Sequence, residues 1–74
     1  MILTADPESE FTLREQQILY LVAKGMSNKE IAQHLSLSEQ TVKAHIANMA
    51  AKAETGNRAA LVAYGFESGI LKGE

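Results

Sequence analysis

The chain has 74 residues, 46% hydrophobic and 22% charged, which is the size and composition of one small globular domain. It has no cysteine and two histidines, which excludes disulfides and thiolate chemistry and leaves little basis for a metal site or a cofactor. No stretch is long and apolar enough to span a bilayer, and residues 1–7 are too short and too acidic for a signal peptide, so the sequence predicts a cytoplasmic protein without membrane contact.

The net charge of -2 is unfavourable for a nucleic-acid-binding protein, because phosphate attracts basic surfaces. The charge is unevenly distributed, however. Residues 1–16 carry a balance of -3 and residues 40–58 a balance of +2. Because salt screens distant charges, a ligand responds to the local field, and the second region remains suitable for DNA.

Residues 1–10 contain the only proline and show no periodicity, so we expect a flexible lead-in or linker there and a folded domain over residues 11–74. A capping box of Thr12 and Glu15 predicts a first helix that runs to about Lys24. The predicted buried arc of this helix consists of Ile18, Leu19, Leu21 and Val22.

Gly25 suits the left-handed conformation that ends a helix, and a second capping box, Ser27 and Glu30, begins a short helix that ends near Leu35. A three-residue turn follows, in which Ser38 is positioned to cap a third helix. A short helix, a tight turn and another helix in this order are typical of helix-turn-helix proteins. In such proteins the helix after the turn, here the third helix of the chain, enters the major groove of DNA.

The third helix, predicted from Glu39 to about Ala53, has two different faces. Its core stripe consists of Val42, Ile46, Met49 and Ala53. The opposite face consists of Gln40, Ala44, Ala47 and Ala51, with Lys43 at one flank and Thr41, Asn48 and Lys52 at the other. Small side chains allow close approach to a groove, and Gln, Asn and Lys reach base edges or phosphates. Alanine is also the strongest helix former, so this feature alone leaves both interpretations open.

Asn57 is positioned to cap a fourth helix from Arg58 to about Ser68, with Gly69 as its terminator. This helix is apolar nearly all round, which favours a partner, most simply a second copy of the chain. The alternative is a packed helix with a few exposed apolar residues. We assign the dimer interface to Val62, Ala63 and Phe66.

Several segments resemble the DNA-binding domain of the LuxR/GerE family, also called NarL/FixJ. They are Leu13-Arg14-Glu15-x-x-Ile18-Leu19, Gly25-Met26-Ser27-Asn28-Lys29-Glu30-Ile31-Ala32, Leu37-Ser38-x-x-Thr41-Val42-Lys43-x-His45, the Asn57-Arg58 pair and the Leu61-Val62 tail. The resemblance covers about residues 11–71. It implies an all-α, four-helix helix-turn-helix domain that regulates transcription by binding pseudo-palindromic promoter DNA as a homodimer. In this family such a domain commonly follows a receiver or ligand-binding domain in a longer parent chain, and no enzyme activity is implied.

The resemblance also implies roles for single residues. Lys43 would contact a base or phosphate, and Ala44 and Ala47 would face the bases. For His45 a structural hydrogen bond or a phosphate contact is expected, not a metal or catalytic role. The complete predicted DNA-binding set is Ser27, Asn28, Lys29, Ser38, Gln40, Thr41, Lys43, Ala44, His45, Ala47, Asn48, Lys52 and Arg58.

Two other functions fit the same helices. One is a protein-interaction module that uses the acidic lead-in and the apolar fourth helix to sequester another regulator. Such a module would not bind DNA at any salt concentration, whereas a DNA-binding domain loses affinity steeply as salt is added. The other is region 4 of a sigma factor, against which the matches at His45 and Asn57-Arg58 argue.

The end of the third helix departs from the family pattern. Ala50, Ala53 and Thr55 stand where relatives usually carry Leu or Val. Each missing aliphatic group lowers the stability of the core unless neighbours such as Tyr64 and Phe66 fill the space. The sequence therefore predicts a marginally stable domain that gains stability from dimerisation or DNA.

Overall fold

The computed structural model describes residues 1–73, which form four helices and one pair of short strands. In chain order these elements are β1 (Ile2–Leu3), α1 (Leu13–Ala23), α2 (Asn28–Leu35), α3 (Glu39–Lys52), α4 (Arg58–Glu67) and β2 (Leu71–Lys72). The predicted four-helix, helix-turn-helix architecture is confirmed, and each helix ends within one residue of its predicted end. The strand pair is an addition that the sequence did not predict.

Each helix begins with the side-chain cap that its sequence indicates. Both capping boxes are complete, and the remaining two helices are capped by the Ser38 hydroxyl and the Asn57 side chain. The helix ends are less regular. Gly25 and Gly69 take the expected left-handed conformation, with φ of 88° and 83°. Ser36 and Glu54, which follow α2 and α3, adopt it without being glycine, at φ of 56° and 54°.

Helix α1 is the centre of the packing, because it contacts the other three helices and β1. All four residues of its predicted arc are buried. In α3, Val42 and Met49 are fully buried, whereas Ile46 and Ala53 are half-buried. The other fully buried hydrophobic residues are Phe11, Ile31, Leu61, Ile70 and Leu71.

Helix α4 approaches α1 and β2 closely at Gly65. A Cβ atom at this position would lie 2.9 Å from Leu19 Cδ2 of α1 and 2.8 Å from Leu71 Cδ1 of β2. The absence of a side chain therefore sets how closely α4 lies against α1.

Residues 2–4, within the segment expected as a flexible lead-in, pair with the end of the chain. β1 pairs antiparallel with β2, with Ile2 opposite Lys72 and Leu3 opposite Leu71. The backbone N–H of Thr4 also donates to Ile70 O at 2.7 Å. These contacts join residues about 70 positions apart, so no local periodicity announces them.

Candidate nucleic-acid interface

The α2–turn–α3 unit is held so that one face of α3 points away from the core. Ile31 and Ala32 of α2 and Val42 of α3 are buried. In the turn, Leu37 is half-buried and its N–H donates to Ala32 O at 2.8 Å. Because both helices are fixed through their apolar sides, the opposite face of α3 is presented to solvent.

The exposed face of α3 is the one that the helix wheel predicts. The exposed residues on it are Gln40, Lys43, Ala44, Ala47, Asn48 and Ala51. His45 is half-buried at the margin. Thr41 is exposed, and its hydroxyl lies 2.8 Å from the Ser38 hydroxyl, which also accepts the Thr41 N–H at 3.1 Å. The structure therefore brings the predicted α3 residues together as a continuous surface of small and polar side chains.

The four basic residues of the predicted set are in two different situations. Among the residues that the structure describes, Lys29 and Lys43 are exposed and make no ion pair or side-chain hydrogen bond. Lys52 lies with its Nζ 2.6 Å from Glu15 Oε1. Arg58 donates to Asn28 Oδ1 at 2.9 Å and to Met26 O at 2.8 Å. Two cations are thus available to a ligand, and two are engaged within the domain.

An open depression of about 440 Å³ lies where the starts of α2, α3 and α4 meet. Its lining residues are Gly25, Met26, Ser27, Asn28, Lys29, Glu39 and Arg58. The first turn of a helix presents amide N–H groups without intrahelical acceptors and carries a partial positive charge, so the α2 end favours an anion. Lys29 and Arg58 add positive charge there, and Glu39 opposes them.

Two glutamates near the helix starts are stabilised in the ionised form. Burial, the largest influence on Glu15, raises its pKa, but hydrogen bonds from Lys52 and the Thr12 N–H, with the charges of Lys52 and His45, lower that pKa below 4.5 overall. The pKa of Glu30 is lowered by hydrogen bonds from the backbone and the side chain of Ser27. Both carboxylates therefore favour the folded chain when they are ionised.

The residues assigned to a dimer contact are unequally accessible. Phe66 is 42% exposed and Ala63 is exposed, whereas Val62 is half-buried. Ala59, four residues before Ala63, is also exposed, so α4 presents a narrow apolar face. Tyr64 instead packs against Phe11, with ring centroids 5.3 Å apart.

Sequence reasoning missed the internal partners of Lys52 and Arg58. Glu15 and Lys52 are 37 residues apart, and Asn28 and Arg58 are 30 residues apart. Neither pair falls on one helix face, so helical spacing gives no signal for them. Within residues 1–73, no cluster of three potential metal ligands occurs and no helix is long and apolar enough to cross a membrane.

Comparison with known proteins gives a consistent result. Residues 9–64 match the family model described as "Bacterial regulatory proteins, luxR family". The chain is 49% identical over 57 residues to the uncharacterized transcriptional regulatory protein YhcZ of Bacillus subtilis, covering 72% of this chain and 27% of that protein. It is also 49% identical over 55 residues to the nitrate/nitrite response regulator protein NarP of Escherichia coli, covering 74% of this chain and 26% of that protein.

A solved structure is similar in fold and sequence. The response regulator ChrA of a heme-sensing two-component system superposes with a TM-score of 0.81 at 30% identity, covering 89% of this chain and 33% of that one. The chain thus spans about a quarter to a third of the length of these proteins. The family match over residues 9–64 includes the whole helix-turn-helix unit and the exposed face of α3. The chain belongs to the LuxR family of bacterial regulatory proteins, as a DNA-binding domain of a transcription regulator.

Proposed function

We propose that this domain reads a specific DNA sequence by inserting α3 into the major groove, and that two copies associate through α4 on a pseudo-palindromic promoter site. The observation that carries the proposal is the exposed face of α3. Its centre is made of Gln40 and three alanines, and its flanks carry Lys43 and Asn48. A helix with this surface fits closely into a groove and still offers hydrogen bonds at its edges.

Base recognition would come from a few residues. The amides of Gln40 and Asn48 match the donor and acceptor pattern of adenine, and Lys43 donates to guanine or to phosphate. The methyl groups of Ala44 and Ala47 suit the thymine methyl. Each well-formed bidentate contact would discriminate against a wrong base by about 1–3 kcal/mol.

Phosphate contacts would come from the depression at the start of α2. Ser27, Asn28 and Lys29 lie at this helix end, where the amides and the lysine attract an anion. Ser38 and Thr41 add hydroxyl groups at the start of α3. These contacts would fix the orientation of the domain on the duplex, whereas α3 selects the sequence.

The dimer would form through the exposed apolar face of α4, which includes Ala63 and Phe66. Two copies related by a two-fold axis would place their α3 helices in successive major grooves, about 34–36 Å apart. Because the similar proteins are response regulators of three to four times this length, we also infer a parent chain with a regulatory domain. Such a transcription regulator would act in the bacterial cytoplasm without a cofactor and without enzyme activity.

An NMR titration tests this proposal. The isotope-labelled chain is mixed with a duplex that the wild-type domain has selected from a random-sequence pool, at about 50 mM and about 200 mM salt. We expect chemical-shift changes at residues 27–29 and 40–48 that weaken at the higher salt, because phosphate binding releases counterions.

The alternative is the interaction module that sequesters another regulator. It predicts that the same amides stay unchanged even at low salt, while residues 58–70 respond only to protein concentration. That result would refute DNA reading by α3. Shifts at the α3 amides without any concentration dependence at residues 58–70 would support DNA reading and refute the α4 dimer.

A further inference from the structure

We propose that Lys52 supports DNA binding as a positioning residue: by holding the Glu15 carboxylate it fixes the orientation of the last turn of α3, and it does not contact phosphate. The inference rests on the proposed role of α3 in the major groove. It assigns to Lys52 a task different from that of Lys43, the other lysine of the same helix.

The ion pair between Lys52 and Glu15 is short and largely buried on the Glu15 side. Lys52 Nζ lies 2.6 Å from Glu15 Oε1, and the two side chains are 33% and 4% exposed. The same carboxylate oxygen accepts the N–H of Thr12 at 2.9 Å. If Lys52 moved to a phosphate, it would leave a nearly buried carboxylate without its counter-charge, which is costly.

Glu15 is itself held in place by hydrogen bonds at the start of α1. Its own N–H donates to Thr12 Oγ1 at 3.1 Å, which closes the capping box at the start of α1. The next residue, Gln16, is fully buried and hydrogen-bonded to residues 6 and 11. An ammonium held by this carboxylate is therefore tied to the hydrogen-bonded start of the central helix.

The end of α3 is weakly packed by apolar side chains. Met49 is the last fully buried residue of this helix, and it is followed by the half-buried Ala50 and Ala53. Short side chains make few contacts and restrain the rotation of a helix less than Leu or Val would. The Lys52–Glu15 pair supplies the restraint that this packing lacks.

The orientation of the end of α3 affects how the domain recognises a DNA sequence. Contacts to base edges require side chains placed within about 0.5 Å and 10–20° of their productive geometry. Asn48 lies one helical turn before Lys52 on the same flank of α3. A rotation of the end of α3 therefore moves the Asn48 amide away from the base that it would contact. Phosphate contacts at the start of α2 would be unaffected.

The test compares Lys52→Met with the matched control Lys43→Met in the complete 74-residue chain. Dissociation constants are measured over a salt series for the selected duplex and for a scrambled duplex of the same composition. We expect Lys52→Met to weaken binding to the selected duplex about tenfold, which is the size of effect found when residues in contact are uncoupled. The slope of the logarithm of affinity against the logarithm of salt concentration should not change. Affinity for the scrambled duplex should stay the same. Lys43→Met should lower the slope by about 1 on both duplexes.

Three further variants separate positioning from general loss of structure. Lys52→Arg retains the pair and should restore binding. Glu15→Gln should reproduce the effect of Lys52→Met, and the double variant should be no worse than either single one. All measurements are made below the melting temperature of each variant, so that the chains are folded.

The outcomes that overturn the inference differ from those that overturn the proposed function. If Lys52→Met lowers the slope by about 1 in both the wild-type and the Glu15→Gln background, Lys52 contacts phosphate and the inference is wrong. An unchanged affinity of Lys52→Met for the selected duplex would also refute it. If Lys43→Met changes neither slope nor affinity, the proposed contact of α3 with DNA fails instead.

Discussion

Helices α1 and α2 begin with the same motif in opposite surroundings. In both capping boxes the glutamate N–H donates to the cap hydroxyl at 3.1 Å, and the cap N–H donates to the glutamate at 2.9 Å. Glu15 is buried and also accepts Lys52, whereas Glu30 is exposed. The local sequence thus determines the hydrogen bonds of a helix start. Tertiary packing determines whether that helix start is buried in the domain or exposed to solvent.

The residue after each glutamate extends the contrast. Gln16 and Ile31 occupy the same position in the two boxes, and both are 0% exposed. Ile31 packs in the apolar core. Gln16 instead accepts the N–H of Asp6 at 2.8 Å, and its amide donates to Asp6 O at 2.7 Å and to Phe11 O at 2.9 Å. The start of α1 is therefore a second point, besides the pairing of β1 with β2, at which the first residues of the chain are attached to the domain.

The largest effect is expected for Gln16→Met. The substitution keeps the volume but removes three hydrogen bonds from backbone groups that are partly or fully withdrawn from water, so we expect the free energy of unfolding to fall by about 3 kcal/mol. Urea denaturation followed by circular dichroism measures this change. Gln17→Met, at the exposed neighbouring position, is the control and should change stability by less than about 0.5 kcal/mol. Equal effects of the two substitutions would show that Gln16 does not hold the lead-in.

A smaller effect is expected at the glutamates themselves. Glu15→Gln retains an acceptor for the Thr12 N–H but loses the charge that Lys52 pairs with, and we expect a loss of about 1.5 kcal/mol, because the partly exposed lysine is screened by water. Glu30→Gln should cost clearly less, because its box has no such partner and is exposed. If the two substitutions cost the same in urea denaturation, the difference between the two boxes has no energetic consequence.

The features that the sequence predicts are the local ones. Thr12 with Glu15 and Ser27 with Glu30 are three residues apart, so their hydrogen bonds form within one turn whatever the rest of the chain does. The exposed face of α3 is likewise set by helical period and by the apolar stripe opposite it. For this reason the predicted helix starts and the predicted exposed side of α3 agree with the structure.

The features that escape the sequence depend on distant partners. The pairing of Leu3 with Leu71 joins the two ends of the chain. Lys52 and Arg58 look like free cations in the sequence, and only the packing of α1 against α3, and of the α4 start against α2, gives them partners. Tyr64 and Phe66 are similarly apolar and two residues apart, yet one packs on Phe11 and the other is exposed. Composition and the spacing of residues along the chain do not indicate which of these residues find a distant partner.

The smallest effect is the dependence of the Glu15–Lys52 contribution on pH. The folded chain lowers the pKa of Glu15 below 4.5, so the ionised carboxylate stabilises the fold above pH 4.5, and this stabilisation is lost as the pH falls through the lowered pKa. The stability difference between wild type and Glu15→Gln should therefore be constant at neutral pH and shrink in the acid range. Urea denaturation of both proteins from about pH 6.5 to about pH 3 measures it, and their difference cancels the titration of the other carboxylates. A difference that stays constant down to the lowest pH would mean that glutamine disturbs the packing at this position and that the charge of Glu15 does not stabilise the fold.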